Sequence, residues 1–354
     1  MMKQAPYLSI VLVARNDNYS GDFNERLQNS VNWLSCFIEK YKLPAELLVV
    51  DYNPVPENQP LIEMINWQPH SRKYLSIRLL HIPNEIHQRL INPAVRKTVP
   101  LFEFNAKNMA IRRAKGEYIL STNADIIFHP SIIQFISKRI PGKNSYYRTD
   151  RFDFKKIDCY DFEHPYRTLG KIRQKVFRIM LKGYGYHLKG NGENFLEEKI
   201  IRLKNSWRIF LDLNLVKIEK LAIKWKMNIT YDAFAQRYHT HCSGDFMLMH
   251  RQHWFDLRGY PEDTFISTHC DALFTVMSGV SGLKERILPW PVYHQDHERR
   301  YKADFDESKF EKEITDMFHR FMNDSREMEA SGKPRIVNPA DWGHAGENFQ
   351  ETIV

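Results

Sequence analysis

The pattern of apolar and polar positions changes character near the middle of the chain. Leu8–Ala14 is a short, unbroken, β-branched apolar run, the pattern of a strand buried on both faces. Arg15-Asn-Asp-Asn-Tyr-Ser-Gly21 ends it with loop chemistry. Leu27, Val31, Leu34 and Ile38 then recur at helical spacing until Pro44. Glu46–Asp51 predicts a second buried strand ending in an acid, and Leu75–His81 predicts a third. Ala106, Met109, Ala110 and Ala114 line one face of a further helix, with Gly116 expected as its C-terminal cap, and Glu117–Ser121 predicts a fourth strand. Strands alternating with helices, without hairpin signals, predict an α/β fold: a mostly parallel sheet with helices on both faces.

After Pro141 the regularity lapses. Residues 150–238 mix aromatics, basic residues and isolated glycines. Here Ile172, Val176, Ile179 and Met180 predict an apolar helical face surrounded by Lys171, Arg173, Lys175, Arg178 and Lys182. Order returns with the apolar run Phe246–Met249, a helix, and the turn Gly259-Tyr-Pro261. Another helix follows, with Ile266, Cys270, Leu273, Phe274 and Met277 on its apolar face. Ile287–Trp290 and Val292–His294 predict the closing strand. A last amphipathic helix (Phe310, Ile314, Met317, Phe321) leads into an acidic tail in which Trp342-Gly343 stands out. The expected organisation is two halves of one domain at 1–140 and 239–300, a basic, partly helical insertion at 141–238, and a helical C-terminal extension at 301–354.

Composition excludes disorder: 43% of the 354 residues are hydrophobic and 13% aromatic. The net charge of +8 is localised. Residues 167–226 hold 15 Lys/Arg against 5 Asp/Glu, leaving 36 against 38 elsewhere, so a near-neutral body carries one basic element. That segment has no recognised RNA-binding motif, which argues against a nucleic-acid partner. Its Lys and Arg around apolar positions, with Trp207, Phe210 and Trp225 nearby, suit an anionic membrane surface. Cys36, Cys159, Cys242 and Cys270 have neither disulfide-framework nor zinc spacing. Met1–Ala14 lacks a signal-peptide pattern, so the expected setting is the cytoplasm, peripheral on the inner face of the membrane if the basic element binds lipid.

In an open parallel sheet, ligands bind beyond the carboxyl ends of the strands. Those ends carry Arg15-Asn16-Asp17, Asp51 and Thr122-Asn123-Ala124-Asp125, all polar although the strands are apolar. Neither GxGxxG nor GxxxxGK[ST] is present, which disfavours a dinucleotide site and a P-loop hydrolase. A strand-end carboxylate can accept from a ribose or base edge, and Asp125 is a hard ligand for Mg²⁺ or Mn²⁺.

The stretch Ala106-Lys-Asn-Met-Ala-Ile-Arg-Arg-Ala-Lys-Gly-Glu-Tyr-Ile-Leu-Ser-Thr-Asn-Ala-Asp125 resembles the core signature of family 2 glycosyltransferases with the GT-A fold. Gly244-Asp-Phe-Met-Leu-Met-His-Arg-Gln-His-Trp-Phe-Asp-Leu-Arg-Gly-Tyr-Pro-Glu262 is similar to their acceptor-side segment. The resemblance covers roughly 5–140 and 240–300. It implies a nucleotide-sugar donor and a saccharide or lipid-linked saccharide acceptor, as in polysaccharide or glycolipid synthesis. By that resemblance Arg15, Asn16, Asp17 and Asp51 belong to the nucleotide pocket, and Asn105, Lys107 and Asn108 lie along the diphosphate. Asn123 and Asp125 stand at the two ends of an Asp-x-Asp-type motif whose first acid is here an amide. His294, with His297 as the alternate, would complete a Mn²⁺ or Mg²⁺ site with Asp125. Asp271 is the expected base of an inverting transfer, projecting from a polar helix face with Ser267, Thr268, Thr275 and Ser278, and Asp245 is the second choice. The alternative is a non-catalytic GT-A-like module that binds glycans or a partner.

Overall fold

The computed structural model describes residues 5–67, 73–91, 99–189, 195–224, 237–262, 269–298 and 311–354. Their strands are β1 (Leu8–Ala14), β2 (Ala45–Tyr52), β3 (Leu75–Ile82), β4 (Tyr118–Thr122), β5 (Ile126–Phe128), β6 (Ser145–Phe154), β7 (Val176–Leu181), β8 (Tyr184–His187), β9 (Phe246–His250), β10 (Lys284–Gln295) and β11 (Gln350–Ile353). They join one sheet in the order β11-β3-β2-β1-β4-β9-β6-β10-β5, with β7 and β8 branching from β6. β3, β2, β1 and β4 are mutually parallel, and so are β6 and β10. β9 runs antiparallel between β4 and β6. The fold is α/β, built on a large central sheet.

β1 shows why both faces are covered. Leu8, Ile10, Leu12 and Ala14 enter one core with Leu27, Val31, Leu34 and Ile38 of the helix Phe23–Lys40. Val11 and Val13 enter a second core with Met109 and Ala110 of the helix Glu103–Arg113 and Phe274 and Met277 of the helix Cys270–Val280. A strand buried on both faces needs no alternation, hence the continuous apolar run.

Two local expectations are corrected. The helical face drawn through Ile172 and Met180 does not form. A helix occupies Pro165–Gln174, and Val176–Leu181 is instead strand β7, paired antiparallel with β6. Val176, Ile179 and Leu181 are buried along it, and Lys182-Gly183 (φ 79° at the glycine) turns the chain into β8. Gly116 is not a cap, because the helix ends at Arg113 with Ala114 beyond it. It marks a close approach: a Cβ there would lie 2.5 Å from the Ser9 backbone nitrogen and 2.8 Å from the Leu8 carbonyl carbon. The acidic tail, whose role the sequence leaves open, joins the folded body. After the helix Glu311–Ser331, Trp342 is buried under Arg112 and Phe255, and β11 pairs with β3, where Arg78 meets Glu351 at 2.7 Å. Trp225, Ile266, Ser267, Thr268 and Phe310 lie outside the described residues.

Because the atoms that a side chain at 116 meets are backbone of β1, they cannot swing away. Gly116→Ala is expected to lower the unfolding free energy by about 1–3 kcal/mol through overpacking. Urea denaturation measures this; a loss near zero would show that β1 and the loop before β4 can separate.

Candidate functional site

The register of β10 brings three segments together. β10 pairs with β5 so that His294 faces Ile126, the residue after Asp125, and with β6 so that His294 faces Asp153. The Gln295 backbone N–H also donates to the Asp125 carbonyl at 3.1 Å. His294 Nε2 thus lies 3.6 Å from Asp125 Oδ2, and His297 Nε2, just beyond the strand, lies 3.2 Å from it. Asp125, His294 and His297 each offer one ligand atom, all within 4.8 Å of one another.

The environment of Asp125 is electropositive. Arg26, buried in the helix Phe23–Lys40, donates from Nη1 to Asp125 Oδ2 at 3.0 Å, from Nε to Asp22, and from Nη2 to the Tyr19 carbonyl. Burial disfavours charge on Asp125, but His294, His297 and Arg26 outweigh it and hold the carboxyl far below the usual carboxylate range. Burial likewise opposes charge on His297, yet the hydrogen bond and charge of Asp125 raise its pKa. Asp125 Oδ1 is buried without a hydrogen-bond partner. On the far side of the ring, His294 Nδ1 lies 3.1 Å from Asp153 Oδ1. A carboxylate on that side of the ring is the kind of neighbour that orients a ligating imidazole. One carboxylate with an unpartnered buried oxygen and two imidazole nitrogens, one of them backed by a second carboxylate, is a donor set that fits Mn²⁺ or Mg²⁺.

A chain of buried polar contacts leads inward from Asp153. Its carboxylate meets Arg151 Nε at 2.8 Å and also Arg178. Arg151 Nη1 donates to Asp245 Oδ2 at 2.8 Å, and Asp245 Oδ1 accepts from Asn123 Nδ2 at 2.8 Å. Asn123 Oδ1 accepts from Lys107 Nζ at 2.5 Å, and Lys107 donates further to Glu103 (2.6 Å) and to the Gly244 carbonyl (2.9 Å). The Gly244 N–H and the Ser243 hydroxyl each donate to Asp271 Oδ2 at 2.7 Å. Asp271 sits partly exposed in the first turn of the helix Cys270–Val280. Fully buried Arg148 secures the loop before β9 by donating to the carbonyls of His239, His241 and Ser243.

The remaining expected site residues divide by accessibility. Asp51 ends β2 with Oδ2 3.2 Å from His81 Nδ1, and its Oδ1 is buried with no hydrogen-bond partner. Arg15 donates to the Asn53 carbonyl and to Asp17. Asn16, expected in the nucleotide pocket, is instead turned into a loop: its amide donates to the Val55 and Gln59 carbonyls and accepts from the Val55 N–H. Asn105, Lys107 and Asn108 are buried in the helix Glu103–Arg113. Asn108, expected along the diphosphate, is enclosed by Tyr260 and Glu262, to which it donates at 2.7 and 3.0 Å, and it accepts from the Tyr260 N–H. Asp245 faces Arg151 and Asn123 from a buried position. Sequence reasoning passed over Arg26, Arg151 and Asp153. Arg26 was legible as a cation four residues after Asp22 and next to Leu27 on a buried helix face, and the other two as charges inside the strand run Tyr146–Phe154.

No family model matches the sequence, and no curated protein matches it. Among solved structures, residues 1–349 of S. aureus TarS align at 12% identity and a TM-score of 0.41, covering 81% of this chain and 60% of that one. GalNAc-T7, in its structure with UDP, GalNAc and Mn²⁺, aligns at 12% identity and a TM-score of 0.44, covering 83% and 44%. This chain therefore spans less than two thirds of the length of either structure.

The Asp51–His81 pair carries a pH signature. The hydrogen bond from Asp51 raises the His81 pKa above the ordinary imidazole value, against the opposing effect of partial burial. A histidine raised on folding stabilises the fold fully below its unfolded pKa, and the contribution disappears as pH rises through the folded pKa. With the His81 side chain 40% exposed, that contribution is under about 1 kcal/mol. An NMR titration is expected to show the His81 pKa falling in Asp51→Asn; an unchanged midpoint would show that the contact does not form in solution.

Proposed function

We propose that this chain is a nucleotide-sugar-dependent glycosyltransferase of GT-A type that moves a sugar to a saccharide or lipid-linked saccharide acceptor with inversion. The observation that carries the reading is the convergence of Asp125, His294 and His297, one carboxylate oxygen of Asp125 being buried without a partner, where the sheet meets the loop after β4. A divalent cation held there would neutralise the diphosphate leaving group. Asp125 and the two histidines are its ligands in this reading, and Asp153 positions His294. Asp51 and Arg15 are the nucleotide-side groups, Asp51 supported by its unpartnered buried oxygen.

Transfer requires an acceptor oxygen to attack C1 of the donor sugar while the bond from C1 to the diphosphate oxygen breaks. The acceptor hydroxyl must lose its proton as it attacks, and that proton passes to a carboxylate. Asp271 suits this role better than Asp245. It is partly exposed, and its hydrogen bonds from Ser243 and Gly244 fall on Oδ2 and fix its orientation, whereas Asp245 is buried against Arg151 and Asn123.

Two measurements test the assignment. Calorimetry with Mn²⁺ is expected to show binding that Asp125→Ala abolishes and that Asp153→Asn weakens by about 10–100-fold. Equal Mn²⁺ affinity in Asp125→Ala would remove the metal site from the reading. Donor binding and turnover are then screened with UDP-, GDP-, CMP- and dTDP-sugars. Asp271→Asn is expected to lower turnover by about 10²–10⁴-fold with donor affinity retained. Near-normal turnover in a folded Asp271→Asn would overturn the base assignment, and failure of every donor to bind would favour a non-catalytic glycan- or partner-binding module.

A further inference from the structure

The helix Phe195–Lys224 is built inside out. It meets the body through buried Ile201 and through polar contacts: Arg202 meets Asp150 at 2.7 Å, Asp212 accepts from the Tyr184 hydroxyl at 2.5 Å, and Asn205 accepts from the Tyr186 hydroxyl at 3.0 Å. The opposite face is apolar and open to solvent. Leu196, Ile200, Leu203, Trp207, Phe210 and Ile218 are exposed, Leu203 by 74% and Trp207 by 62%. They recur at steps of four and three residues and, after Phe210, eight, with Asn214 at the intervening turn donating to the Phe210 carbonyl, so they form one stripe about 33 Å long at 1.5 Å rise per residue. Trp207 and Phe210 stack on each other at 5.6 Å. A soluble helix normally turns such a stripe inward, and an exposed one of this extent marks a docking surface.

The charges around the stripe identify what docks. At 100° per residue, Lys199 and Lys217 border one edge and Lys204 the other. The acids Glu197, Glu198 and Asp212 are all engaged with the body: Glu197 accepts from the Lys189 N–H, Glu198 pairs with Arg173 and Arg202, and Asp212 accepts from Tyr184. The outward face is thus apolar at its centre and cationic at its margins. A second copy of the same face would bring like charges together, whereas an anionic lipid surface offers acyl chains to the stripe and phosphates to the lysines. Among the described residues no helix is long and apolar enough to cross a membrane. We propose that the helix Phe195–Lys224 lies flat on an anionic phospholipid bilayer, with Trp207 and Phe210 inserted and Lys199, Lys204 and Lys217 at the headgroups.

The helix is also joined to the candidate site. It packs on β7 and β8 through Tyr184, Tyr186 and Lys182, β7 pairs with β6, and Arg178 of β7 meets Asp153 beside His294. The docking inference rests on the helix alone and does not depend on the transfer reading.

The test is co-sedimentation of the full chain with phosphatidylcholine vesicles, with and without phosphatidylglycerol, at low and high salt. Binding is expected only with phosphatidylglycerol and is expected to weaken with salt. The double variant Trp207→Glu/Phe210→Glu is expected to bind about 100-fold more weakly. Lys199→Glu/Lys204→Glu is expected to lose at least about ten-fold and most of the salt sensitivity. All four side chains are exposed, so circular dichroism and melting should be unchanged, and donor binding, measured in parallel, should be retained. Absence of wild-type binding, or equal binding by the Trp207/Phe210 variant, overturns the proposal. So does a lipid-free dimer in sedimentation velocity that this variant dissolves, which would assign the stripe to a second copy.

Discussion

One constraint orders the carboxyl-terminal end of the sheet: a set of charges has been taken out of water and must be matched inside. Asp245, Asp153 and Asp125 are buried against Arg151 and Arg26, with buried Lys107 and the partly exposed Glu103 and Arg178 at the margins and Asn123 and His294 as connectors. Desolvating an ion costs several kcal/mol, and the loss is recovered only if each charge keeps its partner and geometry. Removing one member would cost about 3–5 kcal/mol because it leaves an uncompensated charge behind. The strands must therefore hold their register. A slip of one residue in β10 would turn His294 to the other face of the sheet and separate Asp125 from Asp153. The same contacts shape the proposed site, since His294 and the Gly244 backbone that binds Asp271 are both positioned by members of this set.

How much of this could be read from the sequence depends on the range of the interaction. The strands over 8–14, 45–52, 75–82 and 118–122 follow from mostly apolar runs, because a strand covered on both faces carries only scattered polar positions such as Glu46 and Arg78. The helices over 23–40 and 103–113 follow from periodicity. Asp125, His294 and His297 were nameable as single residues, but their convergence needs β10 to lie between β5 and β6, a pairing between elements more than 130 residues apart. The error over 172–180 has a local cause. Val176 and Ile179 suit a helix by spacing, yet Val176, Arg178 and Met180 also alternate with Phe177, Ile179 and Leu181, and pairing with the already buried β6 decides in favour of strand. β11 was illegible because a four-residue strand carries almost no pattern; it forms through β3 and the Arg78–Glu351 contact.

The tail shows how a polar extension becomes part of the core. Asn108 donates to Tyr260 and Glu262, Glu262 accepts from the Gly343 N–H, and Asn338 bonds to Arg258, Tyr260 and Glu262. A Cβ on Gly343 would lie 2.6 Å from the Asn108 carbonyl oxygen, so the tail backbone lies directly on the helix Glu103–Arg113. That helix carries Lys107 one residue earlier, facing the charged set. The amide of Asn108 and the ammonium of Lys107 thus tie one helical turn to the tail on one side and to the site on the other.

Asn123 is where sequence resemblance and local physics pull apart, and the structure shows what the amide does. The position needs a donor toward Asp245 and an acceptor toward Lys107, and an amide supplies both on separate atoms. An aspartate there would present an oxygen to the Asp245 carboxylate with no proton between them, and would add a buried acid without a base to match it. Repulsion would then displace Asp245 from Arg151, or a carboxyl would remain protonated. The absent first acid therefore does not by itself mark a disabled site. In the proposed reading the anionic role falls to Asp125, whose Oδ1 is buried without a hydrogen-bond partner beside two imidazoles.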